Sequence, residues 1–191
     1  MGFTRAELEA SRGRGVPDLL GEDLRLLFVG VNPGLWTAAA QAHFAKRGNR
    51  FFPALHLAGL TGRVIDASAG FQPEDIDYLT SNGIGITNIV NKATARADEL
   101  SQDELRRGGR DLERKVSDLK PVVVVILGLT AYRIAFNRPR ATNGWQAEDF
   151  AGAKLMVAGN PSGLNAHQTV ASLAETFRKA AGVANVRIVH G

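Results

Sequence analysis

The sequence predicts an α/β fold, a single domain in which a parallel twisted sheet is flanked by helices on both faces. Short apolar runs alternate with segments of helical periodicity, and three of these runs end at a glycine. The run over residues 121–127 is apolar throughout and mostly β-branched, which is typical of a strand in the middle of a covered parallel sheet. A chain of 191 residues can bury a sizeable core in one domain.

The first part of the chain is charged and rich in glycine. We interpret residues 1–23 as an arm, with a short helix over 4–11 followed by a solvated linker. Residues 24–191 then form the folded domain, with no internal repeat and no second domain.

Within the domain, strands and helices alternate in the order expected for a doubly wound sheet. Ser101 and Glu104 have the spacing of a capping box at a helix start, and Pro73 is suited to the first turn of another helix. Residues 36–45 predict a loop or short helix, and 137–150 a polar excursion. The predicted strands cover residues 26–29, 85–90, 121–127 and 154–158, and a short edge strand is predicted at 186–189. The predicted helices cover residues 54–60, 73–79, 101–119, 130–136 and 168–181.

The composition excludes several kinds of site. The chain has no cysteine, so disulfides, thiolate zinc sites and iron–sulfur clusters are excluded. The four histidines are too scattered to suggest a metal site, and we expect no cofactor. A net charge of +4 and a pI of about 9.8 weakly favour a polyanionic partner. Because no apolar run approaches a membrane span and no signal peptide is evident, we expect a cytoplasmic protein that binds no membrane.

Two predicted strands end in the same turn chemistry, Gly30-Val-Asn-Pro-Gly34 and Gly159-Asn-Pro-Ser-Gly163. The carboxyl ends of parallel strands meet at one edge of a sheet, where ligands bind, so Asn32 is expected at the mouth of a site. Neither turn matches a dinucleotide fingerprint, a phosphate-binding loop or a nucleophile elbow. The alternative for each turn alone is an ordinary connection from strand to loop.

Further segments extend this pattern: Asn49-Arg-Phe51, Gly85-Ile-Thr87 and Glu104-Leu-Arg-Arg-Gly-Gly-Arg110. Together with Gly30-Val-Asn-Pro-Gly-Leu35 and Asn160-Pro-Ser-Gly-Leu164, they resemble the mismatch-specific uracil-DNA glycosylases, the branch that includes thymine-DNA glycosylase. The resemblance covers roughly residues 24–180 and implies a parallel sheet sandwiched by helices.

The resemblance also implies that a target base is flipped out of duplex DNA and its glycosidic bond is hydrolysed. In that family the asparagine of the first motif holds the attacking water, and here that residue is Asn32. The base pocket is then formed by the turn at Val31 and Gly34, by Phe44 as a stacking ring, and by Asn88. The alternatives are a core role for Phe44 and a strand-end hydrogen bond for Asn88.

Other uracil-DNA glycosylases typically carry an aspartate in the first motif and a histidine in the second. Here both positions are asparagine, Asn32 and Asn160, and an amide cannot take a net proton. We therefore expect slow chemistry. Those enzymes also carry a tyrosine where this chain has Gly34, so an open pocket that tolerates thymine or ethenocytosine is expected.

A carboxylate and several cations complete the set of candidates. Asp98 departs from the family pattern and is a candidate catalytic group that approaches the sugar; the alternative is an acid that favours the start of the next helix. Glu99 is interpreted as solvated charge. The candidates for phosphate contacts, each alternatively a solvated surface residue, are Lys46, Arg47 and Arg50.

The second turn predicts a wedge that fills the gap left by a flipped base. Leu164 is the candidate wedge because an apolar side chain can replace lost stacking, and its alternative is a core contact beneath the loop. In the family the residues after this leucine contact the opposing guanine, and Asn165 and Ala166 hold those places here. Ala166 replaces a longer basic residue of some relatives, which predicts weaker discrimination. The wedge and opposing-base contact thus comprise Gly163, Leu164 and Asn165, and the rest of the candidate loop is Asn160, Pro161 and Ser162.

The sequence thus predicts a monofunctional DNA glycosylase, a monomer that acts without metal or cofactor. Its partner is double-stranded DNA that contains uracil or a mismatched pyrimidine. The first alternative is a module that binds mismatched or abasic DNA with negligible turnover. The second is a nucleotide-binding α/β protein, which the missing phosphate loop disfavours.

Overall fold

One five-stranded sheet with the strand order β2-β1-β3-β5-β4 forms the centre of the computed structural model, which describes residues 2–163, 165 and 168–189. The four predicted strands are all present and pair in parallel. A two-residue strand in the polar excursion, which the sequence did not predict, pairs antiparallel with β5. The strands are β1 Leu26–Gly30, β2 Ile84–Asn88, β3 Val123–Leu127, β4 Gly144–Trp145 and β5 Lys154–Ala158.

Helices cover both faces of the sheet, as predicted. Three of them begin with a complete capping box, at Thr4, Ser101 and Thr169. One helix begins at Phe51 rather than at 54, because Asn49 Oδ1 accepts a hydrogen bond from the Phe51 N–H at 2.9 Å. The helices are α1 Arg5–Ala10, α2 Leu35–Ala40, α3 Phe51–Leu57, α4 Pro73–Ser81, α5 Gln102–Leu119, α6 Leu129–Ala135 and α7 Val170–Ala184, with a 3-10 turn at Ala97–Glu99.

Successive residues of each central strand point to opposite faces and build two apolar cores. In β1, Leu26 and Phe28 belong to the core that includes side chains of α3 and α7. Leu27 and Val29 belong to the core that includes side chains of α5 and α6. All four side chains are fully buried, which explains why the run shows no polar alternation.

The strand order places a topological switch beside β1. The chain passes from β1 to β2 on one side and then returns to β3 on the other side of β1. In open α/β sheets such a switch leaves a crevice beyond the carboxyl ends of the strands. The loops that follow β1, β2 and β5 all leave the sheet at this edge.

The predicted solvated linker instead contacts β2 and the loop that follows it over residues 13–19. Leu19 exchanges two backbone hydrogen bonds with Ile86 of the edge strand β2, and Val16 is buried. The expectation of a solvated linker is therefore wrong for this stretch, because the edge of β2 supplies backbone partners that only the fold brings together.

The prediction of an edge strand at residues 186–189 is also wrong. The segment makes one backbone hydrogen bond to α3's end, from the Val189 N–H to the Gly59 carbonyl at 2.7 Å, and pairs with no strand. Among the described helices, none is long and apolar enough to cross a membrane.

Two glycines in α5 permit close packing of this helix. A Cβ built at Gly108 would lie 2.2 Å from the carbonyl oxygen of Ile89, and one at Gly109 would lie 2.9 Å from that of Ala135. Both obstacles are backbone atoms, which cannot rotate away. Gly108 therefore sets the distance from α5 to the loop after β2, and Gly109 sets the distance from α5 to α6.

We expect Gly108→Ala to lower the free energy of unfolding by about 1–3 kcal/mol through overpacking, although alanine favours a helix. Gly182→Ala is the matched control, since it also lies in a helix but a Cβ there would meet no atom within 4 Å. This control should gain about 0.5–1 kcal/mol. Urea unfolding of both variants measures the difference; equal shifts would contradict the packing role of Gly108.

Candidate active site

A cleft of about 540 Å³ opens at the carboxyl edge of the sheet. It is bordered by the loops that follow β1, β2 and β5, so the fold brings together segments that are far apart in the sequence. The predicted site residues that line it are Val31, Asn32, Gly34, Phe44, Lys46, Asn88, Asp98, Asn160 and Ser162. Arg47, Arg50, Pro161, Gly163 and Asn165 do not line the cleft, and Leu164 and Ala166 lie outside the described residues.

The amide of Asn32 is held in one orientation. Its Nδ2 donates to the carbonyl of Lys92 at 2.9 Å, to Thr94 Oγ1 at 2.8 Å and more weakly to the carbonyl of Pro33 at 3.2 Å. The Thr94 hydroxyl donates its own proton to the carbonyl of Arg96 at 2.7 Å, so it can only accept from Asn32. The amide nitrogen therefore faces the protein, and Oδ1 is the acceptor that remains for a ligand in the cleft.

The segment that anchors this amide is itself fixed from two sides. Ala93 donates to the carbonyl of Arg14 and accepts from the N–H of Gly13, so the arm pairs with it. Lys92 forms an ion pair with Glu104 at 2.6 Å. That ammonium, together with the capping hydrogen bonds at the start of α5, lowers the pKa of Glu104 to about 2. The carboxylate is thus ionised at neutral pH and keeps the loop tied to α5.

Asp98 lies at the rim of the cleft in the 3-10 turn. Its side chain is 62% exposed and forms an ion pair with Arg96, which raises the pKa of that guanidinium. The capping box of α5 uses Ser101 and Glu104 and does not involve Asp98. The carboxylate therefore faces solvent beside the cleft, with its charge partly balanced by a neighbouring cation.

Phe44 both packs against the core and lines the cleft. Its ring stacks on the buried ring of Phe51, with centroids 4.1 Å apart and planes 23° apart, and it packs against the core. The same ring lines the cleft.

Gly34 is the last residue of the first turn, and a Cβ there would meet no atom within 4 Å. A larger residue at this position would project into open space at the cleft.

His43 contributes to the site in a way that the sequence did not reveal. Its Nε2 lies 2.9 Å from the carbonyl of Pro17 and therefore donates, which leaves Nδ1 to accept from Asn88 Nδ2 at 3.3 Å. Burial lowers the pKa of His43, so the ring is neutral. The amide oxygen of Asn88 then lies beside Gly30, where a Cβ would come within 2.5 Å of it. No spacing between these residues signals the contact.

The loop after β5 is shaped by amide side chains. Asn160 Oδ1 accepts a hydrogen bond from the Ser162 N–H at 2.9 Å, and Asn165 Nδ2 donates to the carbonyl of Asn160 at 3.1 Å. Lys46 and Arg47 are exposed nearby, whereas Arg50 is half-buried and donates to carbonyls of this loop.

The site offers oriented hydrogen-bond acceptors and an aromatic ring rather than a histidine or carboxylate within the two turns. Among the described residues, no three histidine, aspartate or glutamate side chains come together as a possible metal site. Such a cleft can hold a planar ring and orient a water molecule beside it.

Comparison with known proteins identifies the fold and the family. The solution NMR structure of a protein from Methanosarcina acetivorans, provisionally assigned as a uracil DNA glycosylase, superposes with a TM-score of 0.61. The alignment covers 88% of this chain and 98% of that one at 17% identity, and it confirms the predicted fold. The model of the family described as the uracil DNA glycosylase superfamily matches residues 17–181. The chain therefore belongs to the uracil DNA glycosylase superfamily.

Proposed function

We propose that this protein is a monofunctional DNA glycosylase that flips uracil and mispaired or damaged pyrimidines out of duplex DNA and hydrolyses their glycosidic bond. Membership of the superfamily supports a hydrolytic DNA glycosylase. The observation that carries the finer proposal is the fixed amide of Asn32, whose acceptor oxygen is left to the cleft. The enzyme acts as a monomer on double-stranded DNA.

In the proposed reaction, Asn32 Oδ1 accepts a hydrogen bond from the attacking water. The bond between sugar and base breaks with positive charge on the sugar and negative charge on the departing base. Water adds to the sugar carbon and releases a proton to the surrounding solvent, and the base leaves with the bonding electron pair and is then protonated from solvent. Because an amide orients this water without accepting its proton, positioning replaces general-base catalysis and the reaction is slow.

The pocket has space for a stacked pyrimidine ring, and a proton on ring N3 would add one hydrogen bond. The ring stacks on Phe44, and the amide oxygen of Asn88 accepts the N3–H hydrogen bond that uracil and thymine can donate. Unmodified cytosine has no proton at that position. The neutral form of His43 supports this assignment because its Nδ1 accepts a hydrogen bond from the Asn88 amide nitrogen and so fixes the side of the amide on which the oxygen lies. Gly34 leaves room for a 5-substituent.

Asp98 is proposed as the group that stabilises positive charge on the sugar or takes the proton from water. Its place at the rim of the cleft supports this role. The ion pair with Arg96 works against it, because a paired carboxylate contributes less field at the sugar.

A DNA-binding module with negligible turnover is the second candidate. The specific observation in its favour is that neither turn holds an ionisable side chain. The carboxylate that lines the cleft, Asp98, is exposed and paired with Arg96. Single-turnover release of free base from duplexes that contain uracil, thymine or ethenocytosine opposite guanine or adenine separates the candidates. Base release from at least one of these duplexes supports the enzyme. Tight binding to an abasic duplex without any release supports the module.

Asn32→Ala should lower the single-turnover rate at least tenfold and leave duplex affinity nearly unchanged, because the water loses its acceptor. Thr94→Val should also slow release by freeing the amide, whereas Thr94→Ser keeps the hydroxyl and should remain close to the unmodified rate. Quenched-flow base release and fluorescence anisotropy measure the two quantities. Full activity of Asn32→Ala would remove this residue from the mechanism.

Asp98→Asn should slow base release several-fold if its negative charge acts on the sugar. Asp103→Asn is the control, since Asp103 is an exposed acid in the first turn of α5 and interacts with the helix dipole. That control should lose only about 0.3–1 kcal/mol of stability and keep its rate. Equal rates for the two variants would leave Asp98 with no part in catalysis.

Leu164→Ala should impair excision from paired duplex far more than excision from single-stranded DNA. A flipped base leaves a gap only in the duplex, and an apolar wedge replaces the stacking that is lost there. The ratio of the two single-turnover rates is the measurement. Equal losses on both substrates would indicate a folding defect instead of a wedge.

A further inference from the structure

Arg50 makes a cluster of contacts that a phosphate-binding residue would not need. Its Nη1 donates to the carbonyl of Ser162 at 2.9 Å and to that of Asn165 at 2.8 Å, and Nη2 donates to the carbonyl of Gly163 at 3.3 Å. Its backbone N–H donates to the carbonyl of Pro161 at 2.9 Å. One residue thus holds four carbonyl groups of the loop that follows β5.

The anchor for these contacts is rigid. Arg50 immediately precedes α3 and is the N-cap residue of that helix, which packs against α7. A second contact tightens the same junction, because a Cβ at Gly163 would lie 2.9 Å from the carbonyl oxygen of Gly48. The loop after β5 is therefore pressed against the segment that carries Arg50.

The chemistry of the side chain suits this task. A guanidinium presents five N–H donors in a planar fork, so it can serve several carbonyl oxygens at once. An ammonium is a compact point charge and cannot span the same set of acceptors. Arg50 is half-buried and does not line the cleft, whereas Lys46 and Arg47 are exposed and remain suited to phosphate.

We propose that Arg50 is a positioning residue that holds the loop after β5 in the shape needed to fill the gap beside a flipped base, and is not a phosphate contact. This inference rests on the proposed function. A loop that is ordered before DNA binds loses less conformational freedom on binding, so the wedge enters the duplex more readily.

The two roles differ in how they respond to salt and to lysine. The plot of log affinity against log salt has a negative slope. Loss of one phosphate contact makes this slope less steep by about 0.9, and lysine in place of arginine restores it. A lost positioning contact leaves the slope unchanged and is not restored by lysine. Arg50→Lys and Arg50→Gln are therefore compared with Arg47→Gln, an exposed control in the same segment.

We expect both Arg50 variants to excise uracil from paired duplex at least tenfold more slowly than the unmodified protein. Excision from single strands should change less than about threefold, because no gap needs filling there. The salt slope of duplex binding should remain unchanged in both Arg50 variants, while Arg47→Gln should make this slope less steep. Rescue by Arg50→Lys together with a reduced slope for Arg50→Gln would overturn the proposal in favour of a phosphate contact.

Hydrogen exchange supplies a readout that does not depend on catalysis. In Arg50→Gln, the amides of Ser162, Gly163 and Asn165 should exchange at least tenfold faster, while those of β1 and β3 keep their rates. Unchanged exchange in the loop overturns the positioning role even if the variant is slow. Failure of the unmodified protein to release any base overturns the proposed function instead, and the exchange result then still decides whether Arg50 holds the loop.

Discussion

The hydrogen bonds from the Asn32 amide nitrogen to the loop after β2 are the contacts on which the site depends. They join two loops that leave neighbouring strands, and they decide which atom of the amide faces the cleft. The accepting loop is held in turn by the arm and by the ion pair between Lys92 and Glu104. A single amide can thus be oriented without a charged partner, because the surrounding backbone carbonyls accept only from N–H or O–H donors.

Local chemistry was sufficient to predict most of the framework. The strand over residues 121–127 and the capping box at Ser101 follow from patterns within a few residues, and the structure contains both. Asn32 was expected at this edge because parallel strands end together, and Phe44 and Asn88 were expected beside it from the family resemblance; all three line one cleft. The roles proposed for these side chains stay predictions, since geometry alone does not test catalysis.

Most of the features that the sequence did not reveal depend on contacts between distant segments. The arm packs on β2 because a strand edge offers backbone partners, and His43 reaches Asn88 across 45 positions. Arg50 looked like a surface cation, yet its donors meet carbonyls more than 110 positions away. Neither composition nor periodicity encodes such pairs. The short β4 was missed because two residues carry no periodic signal.

An open pocket and a weak mechanism belong together in the proposed enzyme. Gly34 leaves space for a 5-substituent, so pocket shape alone cannot reject the thymine of normal base pairs. An amide that only orients water keeps the chemical step slow, and a slow step gives a paired base time to return to the stack before it is cut. Flipping costs less at a mismatch than at a normal pair, so the flipped state lasts longer there. In this proposal, discrimination between a mismatch and a normal pair comes from the free energy of flipping, and the loop held by Arg50 fills the gap that the flipped base leaves.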